Sequence, residues 1–117
     1  MLAQANRLVS ADDYRAALRR GKRIALENTV VSIVGTEASN PARFGFIVTR
    51  KVGNAVKRNR VRRRMKAIAW ELVDGGLSGR DVIIRALPGS AQADWTTLRE
   101  EISGAFAVDA LSRGAAR

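Results

Sequence analysis

One short segment carries almost all of the excess positive charge of this chain. Residues 50–66 contain nine Lys and Arg and no Asp or Glu, whereas the other 100 of the 117 residues carry 12 cations and 11 acids. The net charge of +10 is therefore localised. Because clustered like charge opposes a compact fold, the segment is expected to expose its cations toward an acidic partner. Nucleic acid and an anionic membrane surface are the two candidates.

The basic segment has the pattern of an amphipathic helix. We predict a helix from about Ala55 to Asp74, ended by Gly75-Gly76, since glycine adopts the backbone conformations common at helix ends. Apolar residues at spacings of 4, 3 and 4 form one stripe, made of Val61, Met65, Ile68 and Leu72. The opposite side of the helix carries Asn59, Arg63, Lys66 and Trp70, flanked by Arg60 and Arg62.

The polar side of this helix suits phosphate, because the planar fork of arginine donates two parallel hydrogen bonds to phosphate oxygens. A solvated face held by salt bridges is the alternative, but no Asp or Glu stands three or four residues from these cations. Trp70 either stacks on a base or covers the helix while partly exposed. Asn54 either caps the helix or, with the free N–H groups after it, holds a phosphate.

The rest of the sequence predicts one α+β domain over residues 1–117. Ser10 caps a first helix that ends at Gly21, and short apolar or β-branched runs predict strands at 23–26, 29–35, 43–49 and 81–86. A last helix is predicted over 96–111, before a frayed tail at 112–117. Its core-facing residues are Leu98, Ile102, Ala105, Phe106 and Leu111. The order αβββαβα favours a two-layer sandwich with a four-stranded sheet.

Composition excludes most enzyme chemistry. With no Cys and no His, the chain has no disulfide, thiol nucleophile or imidazole base. Adjacent acids occur only at Asp12-Asp13 and Glu100-Glu101, both expected at a helix start or outer face. We therefore predict no catalytic residue and no metal site. No run approaches the ~20 apolar residues of a membrane span, and no basic then apolar leader is present, so a cytoplasmic protein without membrane contact is expected.

A long motif lies across the third strand and the basic helix. It reads Arg-Phe-Gly-Phe-Ile-Val-Thr-Arg-Lys-Val-Gly-Asn-Ala-Val-Lys-Arg-Asn-Arg-Val-Arg-Arg-Arg over residues 43–64 and contains Arg58-Asn59-Arg60. This string resembles the signature of the bacterial ribonuclease P protein family. The resemblance covers nearly the whole chain, including Asn6-Arg7-Leu8, Asp13-Tyr14, Gly21 and the run from Gly79 to Ala86.

The resemblance implies a fold and a division of labour. The βαβ unit around the motif helix would cross over with left-handed connectivity, an exception to the usual rule. The chain would be the protein subunit of an endoribonuclease that removes the 5′ leader from precursor tRNA. Its partners would be ribonuclease P RNA and precursor tRNA, with one protein per RNA. The RNA would bind Mg²⁺ and cut the phosphodiester bond, while the protein would bind leader and RNA, lower the magnesium requirement and hold no cofactor itself.

Two groups of site residues are expected. The resemblance directs motif-helix residues toward the RNA subunit and the start of the leader: Arg58, Asn59, Arg60, Arg62, Arg63 and Lys66. Four more candidate RNA-binding residues come from the basic segment and the start of its predicted helix: Arg50, Lys51, Asn54 and Lys57. The resemblance also implies a leader-binding cleft between the first helix and the open sheet face. This cleft would contain Tyr14, which matches a family aromatic, with Leu18 where an aromatic is frequent and Ser32 where some members have tyrosine.

Other interpretations of the sequence remain open. Tyr14 is alternatively a half-buried core aromatic. A different RNA-binding module, such as a ribosomal protein, would share the charge but has no reason to carry the residue 51–56 string before Arg-Asn-Arg. A protein-only nuclease needs a carboxylate cluster that the sequence does not display. A helix-turn-helix DNA reader is disfavoured because strands flank the basic helix.

Overall fold

Four strands form one mixed sheet in the computed structural model, which describes the backbone of residues 2–115 and the side chains of residues 2–110. They are β1 (Lys22–Ala25), β2 (Thr29–Gly35), β3 (Arg43–Ile47) and β4 (Arg80–Ala86). The strand order is β1-β2-β4-β3. β2 is antiparallel to both of its neighbours, and β3 is parallel to β4. The handedness of the β3-to-β4 crossover stays a prediction.

Three helices complete the fold: α1 (Ala11–Arg20), α2 (Ala55–Asp74) and α3 (Trp95–Ala115). The predicted α+β class and αβββαβα order are confirmed. Both predicted caps are present, because Ser10 Oγ accepts from the N–H of Asp13 at 3.0 Å and Asn54 Oδ1 accepts from that of Lys57 at 3.0 Å. At the start of α3, Asp94 accepts from the Thr97 N–H at 2.8 Å, and this bond lowers the pKa of Asp94.

The main core lies between α2, α3 and one face of the sheet. The predicted stripe of α2 is confirmed, since Val61, Met65 and Ile68 are fully buried and Leu72 packs against the same cluster. Burial of each such side chain contributes roughly 1.5–3 kcal/mol. α1 covers only part of the opposite face, through a smaller cluster of Leu8, Ala17 and Ile83. The sheet and the α2–α3 pair are thus the two principal layers, with α1 on the reverse side.

Several boundaries differ from those predicted. β1 lies one residue earlier, and β3 ends at Ile47 because the 3₁₀ turn Arg50–Val52 bends the chain toward α2. The last helix begins at Trp95 and continues to Ala115, and the fraying of the tail over 112–117 stays a prediction. The Leu111 side chain and residues 116–117 lie outside the described part. No helix among residues 2–115 is both long and apolar enough to cross a membrane.

Candidate nucleic-acid interface

Five cations of α2 define a surface that we call the basic face: Lys57, Arg58, Arg62, Arg63 and Lys66. None of them forms an ion pair with a described residue. Asn59 lies among them and accepts a 3.0 Å hydrogen bond from Arg62 Nη1, which orders that guanidinium. A shallow groove of about 520 Å³ is lined by Asn59 and by three of these cations, Arg62, Arg63 and Lys66, together with the exposed Val56. Charge without internal partners makes this face suitable for an anion.

The chain enters the basic face through a tight turn. Arg50 and Lys51 are exposed on the 3₁₀ turn that precedes α2, and Gly53 follows with φ of +149°, a conformation that side chains disfavour. The Asn54 side chain is occupied by its capping bond, so the capping interpretation is confirmed. A phosphate contact at Asn54 stays a prediction. The turn therefore extends the basic face by two exposed cations.

Arg60 and Arg64 border the basic face beside Arg63, but both bond to the loop before α3. Arg60 Nη2 donates to the carbonyl oxygen of Ala91 at 3.2 Å, and Arg64 Nη1 donates to that of Ala93 at 2.9 Å. Arg60 Nε is buried without a hydrogen-bond partner among the described residues. Both guanidinium groups therefore tie α2 to the loop before α3. The predicted RNA contact by Arg60 would compete with this structural bond, which the helical wheel could not reveal.

Tyr14 lies on the face of the sheet that α1 covers. Its hydroxyl accepts a hydrogen bond from the N–H of Phe46 at 3.2 Å, and its half-buried ring packs with the Ala17 and Ile83 cluster. A methyl group on Gly45 would lie 2.6 Å from Tyr14 Cζ, so the glycine gives the ring its space. The interpretation of Tyr14 as a half-buried packing residue is thus confirmed, whereas its contact with an unpaired leader base stays a prediction.

The other two predicted cleft residues differ in accessibility. Leu18 stands one helical turn after Tyr14 and is 47% exposed. Ser32 lies on the same sheet face but is only 5% exposed, since the end of α1 at Gly21 packs over it. We therefore correct the expectation for Ser32, which offers almost no surface to a ligand in this structure. The burial of Ser32 depends on where α1 crosses the sheet, and the residues next to Ser32 in the sequence do not indicate this path.

Strand register adds two cations that the sequence analysis missed. Arg85 pairs with Ile47 and Val30, and Arg23 pairs with Ser32, which places both on the α1 side of the sheet. Both are exposed. The alternation of β4 would have indicated Arg85, because residues two apart share a face with the buried Ile83. The surface beside Tyr14 is therefore apolar at its base, and Arg85 and Arg23 are exposed on the same side of the sheet.

Three acids of the two adjacent pairs form bonds within the protein, namely Asp12, Asp13 and Glu101. Glu101 is a hub, accepting from the N–H and side-chain amide of Asn28 and from Thr29 Oγ1 at 2.5 to 3.2 Å. Asp12 pairs with Arg15, and Asp13 lies 3.4 Å from Arg43, whose pKa is raised chiefly by its hydrogen bond to Asp81. Among the described residues, no three acidic side chains are grouped closely enough to hold a metal ion.

Comparison with known proteins agrees with the motif. The family model described as Ribonuclease P matches residues 2–108. The ribonuclease P protein component of Clavibacter michiganensis is 47% identical over 105 residues, covering 90% of this chain and 93% of the relative. That of Beutenbergia cavernae is 41% identical over 106 residues, covering 91% and 89%.

Solved structures share the fold. The RNase P protein of Staphylococcus aureus superposes with a TM-score of 0.79 at 20% identity, covering 91% of this chain and 96% of that one. The Thermotoga maritima protein gives 0.72 at 24% identity, covering 84% and 92%. The family match, the identity to curated relatives and the motif around the basic face lead to one conclusion: this chain belongs to the ribonuclease P protein component family.

Proposed function

We propose that this protein binds ribonuclease P RNA through the basic face of α2 and the 5′ leader of precursor tRNA through the surface beside Tyr14. Its family membership supports a role in ribonuclease P with an RNA partner. The observation that carries the proposal is the set of five α2 cations with no ion-pair partner among the described residues. The holoenzyme acts on precursor tRNA, with one protein per RNA, in the cytoplasm.

RNA binding at the basic face is electrostatic. Each phosphate neutralised by Lys or Arg releases condensed counterions, so affinity falls as the salt concentration rises. The bond from Arg62 to Asn59 fixes one guanidinium before RNA arrives and reduces the ordering that binding requires. Arg50 and Lys51 extend the same contact to the turn before α2.

The leader-binding surface combines an aromatic ring with flanking charge. An unpaired base packs against Tyr14 and the exposed Leu18, since single-stranded RNA is recognised through stacking on side chains. Arg85 and Arg23 lie on the same side of the sheet and contact the leader phosphates. Ser32 is left out because α1 covers it.

Catalysis is assigned to the RNA subunit. The chain has no His or Cys. Three of the four acids that are adjacent in the sequence, Asp12, Asp13 and Glu101, bond to other residues of the protein. The protein lowers the magnesium requirement because its cations neutralise phosphates that Mg²⁺ would otherwise screen. The magnesium ions of the reaction belong to the RNA in this proposal.

Reconstituted cleavage tests the assignment. Precursor tRNA is incubated at limiting Mg²⁺ with ribonuclease P RNA alone, with this protein alone and with both. Correct 5′ processing only with both is the expected result. Tight RNA binding without stimulation would favour a generic or ribosomal-type RNA-binding protein, whereas cleavage by the protein alone would overturn the assignment of catalysis to RNA.

A further inference from the structure

A second groove on α2 combines an exposed aromatic ring with cations. We call it the Trp70 groove, and it encloses about 400 Å³. Its walls come from the N-terminal segment and from α2, and they consist of Leu2, Arg7, Arg63, Lys66, Ala67 and Trp70. No acidic residue lines it among the described side chains. The groove is thus apolar at its base and positive at its rim.

Trp70 is unusually exposed for so large an apolar side chain. It is 42% exposed, whereas the other tryptophan, Trp95, is partly buried against the main core. The exposed ring of Trp70 lies beside cations and offers a face on which a planar group can stack. The α2 stripe explains why Trp70 is not inside, because it lies opposite the buried Val61 and Met65.

The N-terminal wall of the groove is held in place. Arg7 donates to the carbonyl oxygen of Leu2 from Nε at 3.2 Å and from Nη2 at 2.8 Å. Leu8 N–H donates to the Phe44 carbonyl at 2.9 Å, and the Asn6 side chain donates to the Ala42 carbonyl at 2.8 Å. These bonds attach the segment to the edge of β3. The groove is therefore formed before any ligand binds.

We propose that the Trp70 groove receives one unpaired base of ribonuclease P RNA, which stacks on the indole while its flanking phosphates contact Arg7, Arg63 and Lys66. The proposal rests on the RNA-binding role of the basic face, with which the groove shares Arg63 and Lys66. Charge complementarity favours a nucleotide over an apolar protein segment, because the rim contributes three cations. Stacking would add an affinity term that does not depend on salt.

The test compares Trp70 variants in equilibrium binding to ribonuclease P RNA over a range of salt concentrations. Trp70→Ala is expected to weaken binding roughly 5- to 150-fold, the loss typical of one stacked base, with an unchanged salt slope. Trp70→Phe is expected to retain most of the affinity and Trp70→Leu to lose it. Equal binding by the Leu and wild-type proteins would overturn the stacking model in favour of a purely apolar contact.

Tryptophan fluorescence tests the proposal in a protein that keeps Trp70, so this test does not depend on whether the Trp70→Ala variant folds. In a Trp95→Phe background, Trp70 is the single tryptophan of the chain, and its emission is expected to be quenched by saturating RNA. Unchanged emission on saturation would overturn the proposal. Arg63→Ala distinguishes failure of the groove proposal from failure of the proposed function of the basic face. If Arg63→Ala weakens RNA binding while Trp70→Ala does not, only the groove proposal fails. If both variants bind like wild type, the proposed function of the basic face fails as well.

Discussion

The hydroxyl oxygen of Tyr14 lies 3.2 Å from the backbone nitrogen of Phe46 and accepts its hydrogen bond. β3 is an edge strand, and on the same edge the Phe44 carbonyl accepts from the Leu8 N–H. The hydroxyl thus continues a row of edge bonds and fixes the ring against the sheet. The side chain that secures this edge of the sheet is also the one that we propose to contact the leader RNA.

Two substitutions separate the functions of Tyr14. Tyr14→Phe keeps the ring and removes the bond, so it is expected to cost about 0.5–1.5 kcal/mol of unfolding free energy with little change in leader affinity. Tyr14→Ala is expected to weaken holoenzyme binding of precursor tRNA with a long leader more than binding of tRNA without one. Urea unfolding and binding titrations measure these effects. Equal losses with and without a leader would make Tyr14 solely a core residue.

Gly45 is predicted to control the position of the Tyr14 ring. In a Gly45→Ala variant, the new methyl group would lie 2.6 Å from Tyr14 Cζ and 2.8 Å from Ile83 Cδ1, so the ring has to move. We expect a loss of about 1–3 kcal/mol, as for other overpacked sites, together with the leader defect of Tyr14→Ala. Gly104→Ala is the matched control, because a methyl group there meets no described atom within 4 Å. Wild-type leader affinity in Gly45→Ala would contradict the account.

Arg63 and Arg60 are predicted to act differently although both belong to the basic segment. Arg63 is exposed, so Arg63→Ala should weaken RNA binding and reduce the slope of log affinity against log salt by about 0.7–0.9. Arg60 donates to the Ala91 carbonyl, so Arg60→Ala should mainly lower thermal stability. Salt titrations and thermal unfolding of both variants provide the comparison. An unchanged slope for Arg63→Ala would count against the basic face.

Glu101 is predicted to stabilise the fold, whereas its neighbour Glu100 is not. Glu101→Gln replaces a carboxylate that accepts from Asn28 and Thr29 with an amide that directs donors at them, so we expect a loss of about 1–3 kcal/mol. Glu100→Gln removes the same charge from an exposed position and is the control. The midpoints of urea unfolding of the two variants measure this difference. Identical midpoints would exclude a stabilising role for the bonds of Glu101.

Local signals predicted much of this fold from the sequence. The α2 stripe was correct because its period is set by helix geometry, and the caps at Ser10 and Asn54 were correct because each bond joins residues three apart. The motif also supplied the family. These features need no knowledge of distant contacts.

Long-range packing explains what the sequence could not predict. Glu101 bonds to residues more than 70 positions away, and the Arg60 bond to Ala91 depends on the docking of a loop. Ser32 is buried by the path of α1 over the sheet, and no property of the residue itself signals that burial. The sheet face on which Arg85 lies could have been predicted from the alternation of side chains along β4, since Arg85 stands two residues after the buried Ile83.

We propose that the basic face of α2 is what allows this protein to work as a subunit of ribonuclease P. The most direct measurement is single-turnover cleavage of precursor tRNA by ribonuclease P RNA at limiting Mg²⁺, with the wild-type protein and with an Arg58→Ala, Arg63→Ala double variant of verified fold. The account predicts stimulation by the wild type and little by the variant, with excess Mg²⁺ restoring cleavage in both. Equal stimulation by the two proteins at limiting Mg²⁺ would contradict it.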